Sequence, residues 1–204
     1  LNKPTNNPPS PDPDREALEA FRAGDAGAFD DLVRRHQTRV FRLARRLLGD
    51  ADAALDAAQE AFVKAWRALP RFKGEARFST WLTRITINQC RNELRKRGTV
   101  KHTRPMSLDD TVPGTDVRRS ESLAGSTAEP WLEARGQEVS GAFHEALASL
   151  DPEAREVLVL KEVEALSYED MAAVLDVPTG TIRSRLHRAR AELRRRMERV
   201  LGEA

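Results

Sequence analysis

Six residues near the C-terminus, Thr181, Arg183, Ser184, Arg185, His187 and Arg188, lie on one stretch with helical periodicity. Guanidinium forks match guanine edges and phosphates, and short hydroxyls adapt to either. His187 adds one further group within reach of a phosphate. Because the residues between these arginines are small, such a helix can enter a DNA groove closely. A second set, Arg84, Asn88, Arg91 and Arg95, recurs at helical spacing after a loop that carries Phe72, Phe78 and Trp81 among Lys73, Gly74 and Arg77. Single-stranded bases stack on aromatic rings while cations track the backbone. Each aromatic alone also suits a core, and the arginine stripe alone also suits a solvated face. A third set, Asp56, Gln59, Glu60 and Val63, shares a helix face with Arg67, opposite Ala58, Phe62, Ala65 and Leu69. Both charge signs beside an apolar residue suit a protein partner better than DNA.

No catalytic constellation competes with these sets. His36, His102, His144 and His187 are scattered without ligand spacing, and no HExxH, P-loop or nucleophile elbow occurs. The single cysteine, Cys90, rules out an intramolecular disulfide and a cysteine-cluster zinc site. The chain therefore reads as a non-enzyme with no catalytic residue, metal, cofactor or small-molecule substrate. Its charge is nearly balanced, 34 Lys and Arg against 32 Asp and Glu. The cations nevertheless concentrate in two stretches, Arg84 to Arg104 and Arg183 to Arg199, with acidic runs such as Asp109-Asp110 and Glu162-Val163-Glu164 between them. Two positive patches imply two contacts with a polyanion. No apolar run reaches membrane-spanning length and no secretory leader is legible, so a reducing cytoplasm is the expected compartment.

The elements that must hold these residues are helices. Ser167 is a good N-cap, followed by the acidic first-turn residues Glu169 and Asp170, and Met171, Ala172, Val174 and Leu175 form a buried side. Asp176 stands where a left-handed residue ends that helix, and Pro178 suits the first turn of the next. Ile182, Leu186, Ala189, Leu193, Met197 and Val200 make the inward stripe of the second helix, which completes a helix-turn-helix pattern. Upstream, Phe29, Leu32, Val33, Val40, Leu43, Ala44 and Leu47 mark one long helix, and Ser79 is the expected N-cap of the Asn88 helix. The expected fold is all-α, with two helical domains joined by a flexible linker. The expected boundaries are a disordered tail at 1–13, a first domain at 14–98, a linker at 99–130 and a second domain at 131–204.

Taken in order, Asp56…Gln59-Glu60-Ala61-Phe62, Arg71-Phe72-Lys73-Gly74, Phe78-Ser79-Thr80-Trp81-Leu82, Ile85…Asn88 and the Leu166 to Arg190 block resemble the bacterial group IV (extracytoplasmic function, ECF) sigma factors of RNA polymerase. The resemblance covers Asp14 to Val200. It implies that the first domain is a sigma domain two, docking on core polymerase through Asp56, Gln59, Glu60 and Val63. It also implies that Phe72, Phe78, Trp81, Arg84, Asn88, Arg91 and Arg95 read and open the −10 element. The second domain would be a sigma domain four that takes the −35 element through Thr181, Arg183, Ser184, Arg185, His187 and Arg188. Core polymerase, promoter DNA and an anti-sigma factor are the partners implied. Two positions depart from the pattern: Leu55 replaces a frequent acidic residue before Asp56, and Asp176 replaces a frequent glycine in the turn. A stand-alone helix-turn-helix regulator and a decoy for polymerase or an anti-sigma factor are the alternative readings. The loop and helix from Phe72 to Arg97 weigh against the first, and the arginine face from 183 to 195 against the second.

Overall fold

Alanines set how closely the N-terminal helices approach. The computed structural model describes residues 13–103, 141–143 and 145–202. Its first elements are α1 (Arg15–Arg22), α2 (Ala28–Leu48), α3 (Ala51–Ala68), a 3-10 turn (Leu69–Arg71) and α4 (Phe78–Thr103). Six alanines of α3 (Ala53, Ala54, Ala57, Ala58, Ala61 and Ala65) are buried. Side chains this small let α2 and α4 pack near the α3 backbone, so short contacts replace long interdigitating ones. Larger groups fill the remaining space: Leu32, Leu43, Phe78, Leu82 and Ile87 are almost wholly buried. The hairpin from α2 to α3 needs two special residues. Gly49 ends α2 at φ 76°, and Asp50 caps α3 by accepting from the Ala53 amide at 2.7 Å. That bond, aided by nearby Arg97, holds the Asp50 carboxyl below its usual range.

Helix α1 is fastened at its first turn. Asp14 is 1% exposed and accepts from Arg35 Nη1 at 2.6 Å, while its other oxygen lies 2.8 Å from His36 Nε2. At the far end, Arg22 donates to the Phe72 carbonyl at 3.0 Å, so α1 also pins the aromatic loop.

The C-terminal unit contains a helical segment at 145–149, α5 (Pro152–Leu158), a π-helical turn (Val159–Val163), α6 (Tyr168–Leu175) and α7 (Thr179–Gly202). The π turn closes with Glu164 N–H donating to Val159 at 3.0 Å, and Ala165 follows in the left-handed region at φ 52°. The helix-turn-helix geometry follows the sequence. Ser167 accepts from the Asp170 amide at 3.0 Å, and Asp176 ends α6 at φ 58°, ψ 49°. Pro178 stands just before α7 and not in its first turn, its carbonyl receiving the Thr181 and Ile182 amides.

Several expectations shift. No strand occurs among the described residues, in keeping with an all-α fold. Ser79 does not cap α4: the helix begins at Phe78, and the Arg77 carbonyl takes the first amides. Helix α4 continues to Thr103, past the expected edge at 98. The tail at 1–13 lies outside the described residues apart from Pro13, and so does the linker beyond 103. The two units also share a core. Leu43, Leu47, Ile87 and Cys90 of the first belong to one buried cluster with Leu147, Leu150, Val157, Leu160 and Met171 of the second.

Two measurements follow from this packing. Asp14→Ala leaves His36 and Arg35 without their carboxylate and should cost about 1.5–3 kcal/mol in chemical denaturation, with early proteolysis at α1. Burial pushes the Cys90 thiol up to about 12, with the Glu156 carboxylate adding to the rise. The fold thus favours the neutral thiol. Its contribution is fully present below the ordinary value of 9.0 and is lost as pH rises toward 12. Native protein at pH 8 should resist thiol alkylation, and Cys90→Ser should flatten the alkaline loss of stability.

Candidate nucleic-acid and protein interfaces

The aromatic loop is built around Gly74, whose φ of 79° turns the chain back toward α4. Its three rings have different positions. Phe78 is 0% exposed, touching Phe72 at 6.1 Å and His36 at 5.4 Å between ring centroids. It is therefore a core residue, and its expected place among base-contacting side chains is corrected: no base can reach a ring with no exposed surface. Phe72 and Trp81 are half-buried and lie 4.8 Å apart at 37°, a tilted pair at the rim.

Along α4, Arg84, Asn88 and Arg95 are exposed and share one stripe. Arg91 lies on the same stripe but is engaged differently. Its Nε and Nη2 donate to the two carboxylate oxygens of Glu156 at 2.8 and 2.7 Å, from the opposite unit. Glu156 is itself buried at 4% and raises the Arg91 pKa through those bonds. The sequence offers Arg91 to a nucleic acid, and the fold gives it to a carboxylate.

The third set is divided between two grooves beside α3. Asp56 and Glu60 line a groove of about 670 Å³ with Gln89, Asn92, Arg95 and Lys96 of α4. Gln59 borders a second, mainly apolar groove of about 550 Å³ with Val33, Phe41, Leu55, Ala58 and Phe62. Val63 is exposed, as is Leu55, half of whose surface is open. The face is thus a ridge of mixed charge beside an apolar trough, a shape that receives a helix of another protein.

On α7, Ile182, Leu186 and Ala189 are buried, which turns Arg183, Ser184, His187 and Arg188 outward. Thr181 is half-buried beside them. Arg183 lies over the Tyr168 ring at 5.6 Å, a cation–π contact that directs the guanidinium without neutralising it. Arg185 pairs with Glu153 at 3.3 Å and Arg190 with Glu162 at 2.7 Å. Arg190 and Glu162 are both exposed and Arg185 is half-buried, so water screens these pairs and each is weak. No group of side chains among the described residues could hold a metal ion, and no described helix is long and apolar enough to cross a membrane.

Sequence reasoning missed the joint between the units. Arg155 donates to the carbonyl oxygens of Leu147 at 3.0 Å, Leu150 at 3.0 Å and Leu47 at 2.6 Å, and also to that of Ala148. Leu47 belongs to the last turn of α2, where carbonyls have no helical partner and the dipole favours a cation. Arg39 completes the joint with Glu164 at 2.5 Å. Nothing in the spacing of Arg39, Arg155, Glu156 and Glu164 signals these pairings.

Residues 32–100 match the family described as Sigma-70 region 2, and residues 140–193 the family described as Sigma-70, region 4. The chain is 38% identical over 191 residues to the RNA polymerase sigma-H factor of Pseudomonas aeruginosa, covering 94% of this chain and 97% of that one. It is 36% identical over 177 residues to the ECF RNA polymerase sigma-E factor of Escherichia coli K12, covering 87% and 90%. The solved structure of the Bartonella quintana sigma factor RpoE, in complex with the anti-sigma factor NepR, aligns with a TM-score of 0.60 at 27% identity, over 87% of this chain and 98% of that one.

The buried and rim members of the aromatic cluster should separate in stability. Phe78→Ala should cost about 3–5 kcal/mol by leaving a cavity under the loop. Trp81→Ala, half-exposed, should cost less than half as much in the same urea titration.

Proposed function

The chain belongs to the group IV (extracytoplasmic function) sigma factors, and we propose a division of work among its surfaces from the geometry above. The protein is a transcription initiation factor that binds core RNA polymerase and directs it to promoters. Its first domain comprises α1 to α4 and its second the helices from 145 onward, with the segment between as the linker. The observation that carries the residue assignments is the outward set on α7, held rigid by a capped helix, a left-handed Asp176 and a buried stripe.

Arg183, Ser184 and Arg188 meet the −35 element in the major groove, with Thr181, Arg185 and His187 at its edges. Phosphate contacts fix register, and base-edge contacts select sequence. At the −10 element the half-exposed Phe72 and Trp81 supply stacking surface, while Arg84, Asn88 and Arg95 line the path of the separated strand. Flipping a base costs a few kcal/mol, and stacking returns about 1–3 kcal/mol per base. Asp56, Gln59, Glu60 and Val63, with the apolar trough beside them, dock on core polymerase. Leu55, open on that same face, adds apolar contact where an acidic residue is frequent. Polymerase then holds both DNA-reading surfaces at high effective concentration, so binding by the isolated chain is weak.

An anti-sigma factor is the controlling partner, a reading supported by the solved relative bound to one. The chain itself catalyses no reaction and works in the cytoplasm, where polymerase acts.

Run-off transcription with purified core polymerase on a promoter library tests this reading. Initiation should depend on the chain and should fall about 10–100-fold in Asn88→Ala or in Arg183→Ala/Arg188→Ala, as expected for loss of direct base contacts. Core binding without initiation would leave a decoy. A palindromic footprint by the chain alone would leave a stand-alone regulator.

A further inference from the structure

Two carboxylates of the second domain sit on arginines of the first. Glu156 takes Arg91 through two parallel hydrogen bonds, the geometry a guanidinium also offers to phosphate. Glu164, placed by the π turn and 5% exposed, takes Arg39 Nε at 2.5 Å. The other arm of Arg39 donates to Thr83 Oγ1 at 3.3 Å, which fixes the guanidinium beside α4, one residue from Arg84. Arg39 belongs to a row on α2, Arg35, Arg39, Arg42 and Arg46, at the spacing of a single helix face. With Thr38, Val163 and Glu164 these four line a groove of about 510 Å³. Arg42 and Arg46 make no ion pair among the described residues. The α2 row therefore adjoins the exposed cations of α4, and domain four covers it exactly where the two meet at Arg39.

Resting on the sigma-factor reading, we propose that Arg39 and Arg91 are promoter phosphate-binding positions, and that in the free chain Glu164 and Glu156 occupy them as intramolecular stand-ins for phosphate. The same carboxylates tie the two domains together, so uncovering the arginines and separating the domains form one equilibrium. A ligand that needs the open form binds with an affinity reduced by the fraction open. Promoter and polymerase contacts to domain four favour that open form, because they hold it away from α4. Isosteric Glu→Gln changes keep shape and some hydrogen bonding but remove the charge that competes with phosphate. The row on α2 extends the DNA path beyond the residues of α4.

The test uses the full chain without polymerase and a labelled forked duplex drawn from the promoter library independently of the run-off result. Glu156→Gln/Glu164→Gln should raise affinity for the fork at least about tenfold, equivalent to about 1.4 kcal/mol. The radius of gyration from X-ray scattering should rise with it. Adding Arg39→Ala to the double variant should remove most of the gain. Four results overturn the proposal: an opened variant with unchanged affinity, a variant that stays closed with unchanged affinity, one that gains affinity while staying closed, or a gain that survives Arg39→Ala. If Glu156→Gln loses its helical circular dichroism, Glu164→Gln with and without Arg39→Ala makes the same comparison. Wild-type run-off activity is scored separately. Its presence with no gain in the Gln variants sinks the mimicry alone, whereas a nucleic-acid gain without any run-off activity sinks the sigma-factor reading.

Discussion

A guanidinium keeps its charge at every physiological pH, so an arginine drawn toward a protein interior must find oxygen atoms there. The joint between the two domains is organised around that constraint. Arg155 gathers carbonyls from the end of α2 and from the 147–150 turn, and burial lowers its pKa without any carboxylate to offset the cost. Arg91 and Arg39 meet the same demand with Glu156 and Glu164. No buried polar side-chain atom among the described residues lacks a partner, so the joint is fully satisfied. A half-satisfied joint of this kind would be less stable than an apolar one.

Around those arginines the apolar residues form a continuous core. Ile87 and Cys90 from α4 pack in the same cluster as Met171 and Val174 from α6. This arrangement ties α4 of one domain to the helix-turn-helix of the other. It leaves Asn88, Arg84, Arg183 and Arg188 facing solvent, while Arg91 faces a carboxylate. Exposure, more than residue type, thus separates the cations available to a ligand from those holding the protein together.

The mixed-charge face of α3 depends on the alanines behind it. Because the inward side of that helix is small, α2 and α4 rise close on either side and form the walls of the two grooves. The mixed-charge ridge between them is therefore a consequence of core packing as much as of its own residues. The π turn has a similar role in the second domain. By closing six-residue rings where an α-helix would close five, it shifts Glu164 to the position from which it reaches α2.

The local features were legible in the sequence because their causes are local. Ser167 caps whatever helix follows it, Asp176 tolerates a left-handed backbone, and the Ile182, Leu186, Ala189 stripe selects one face of α7 by periodicity alone. The helical character of both domains and the composition of their basic stripes follow from the same short-range rules. Helix α4 begins at Phe78, two residues earlier than a Ser79 cap would start it, and ends five beyond 98, because helix ends balance local capping against tertiary contacts. The fate of individual side chains was not legible. Phe72, Phe78 and Trp81 look alike as a string, yet only folding against His36 and α2 buries Phe78 and leaves the other two at the rim. Arg84 and Arg91 are the same residue type on one stripe, and only a carboxylate 65 residues from Arg91 distinguishes them. Pairings at such separation carry no periodic signal, because the energy that selects them comes from desolvation and geometry that exist only once the helices have packed.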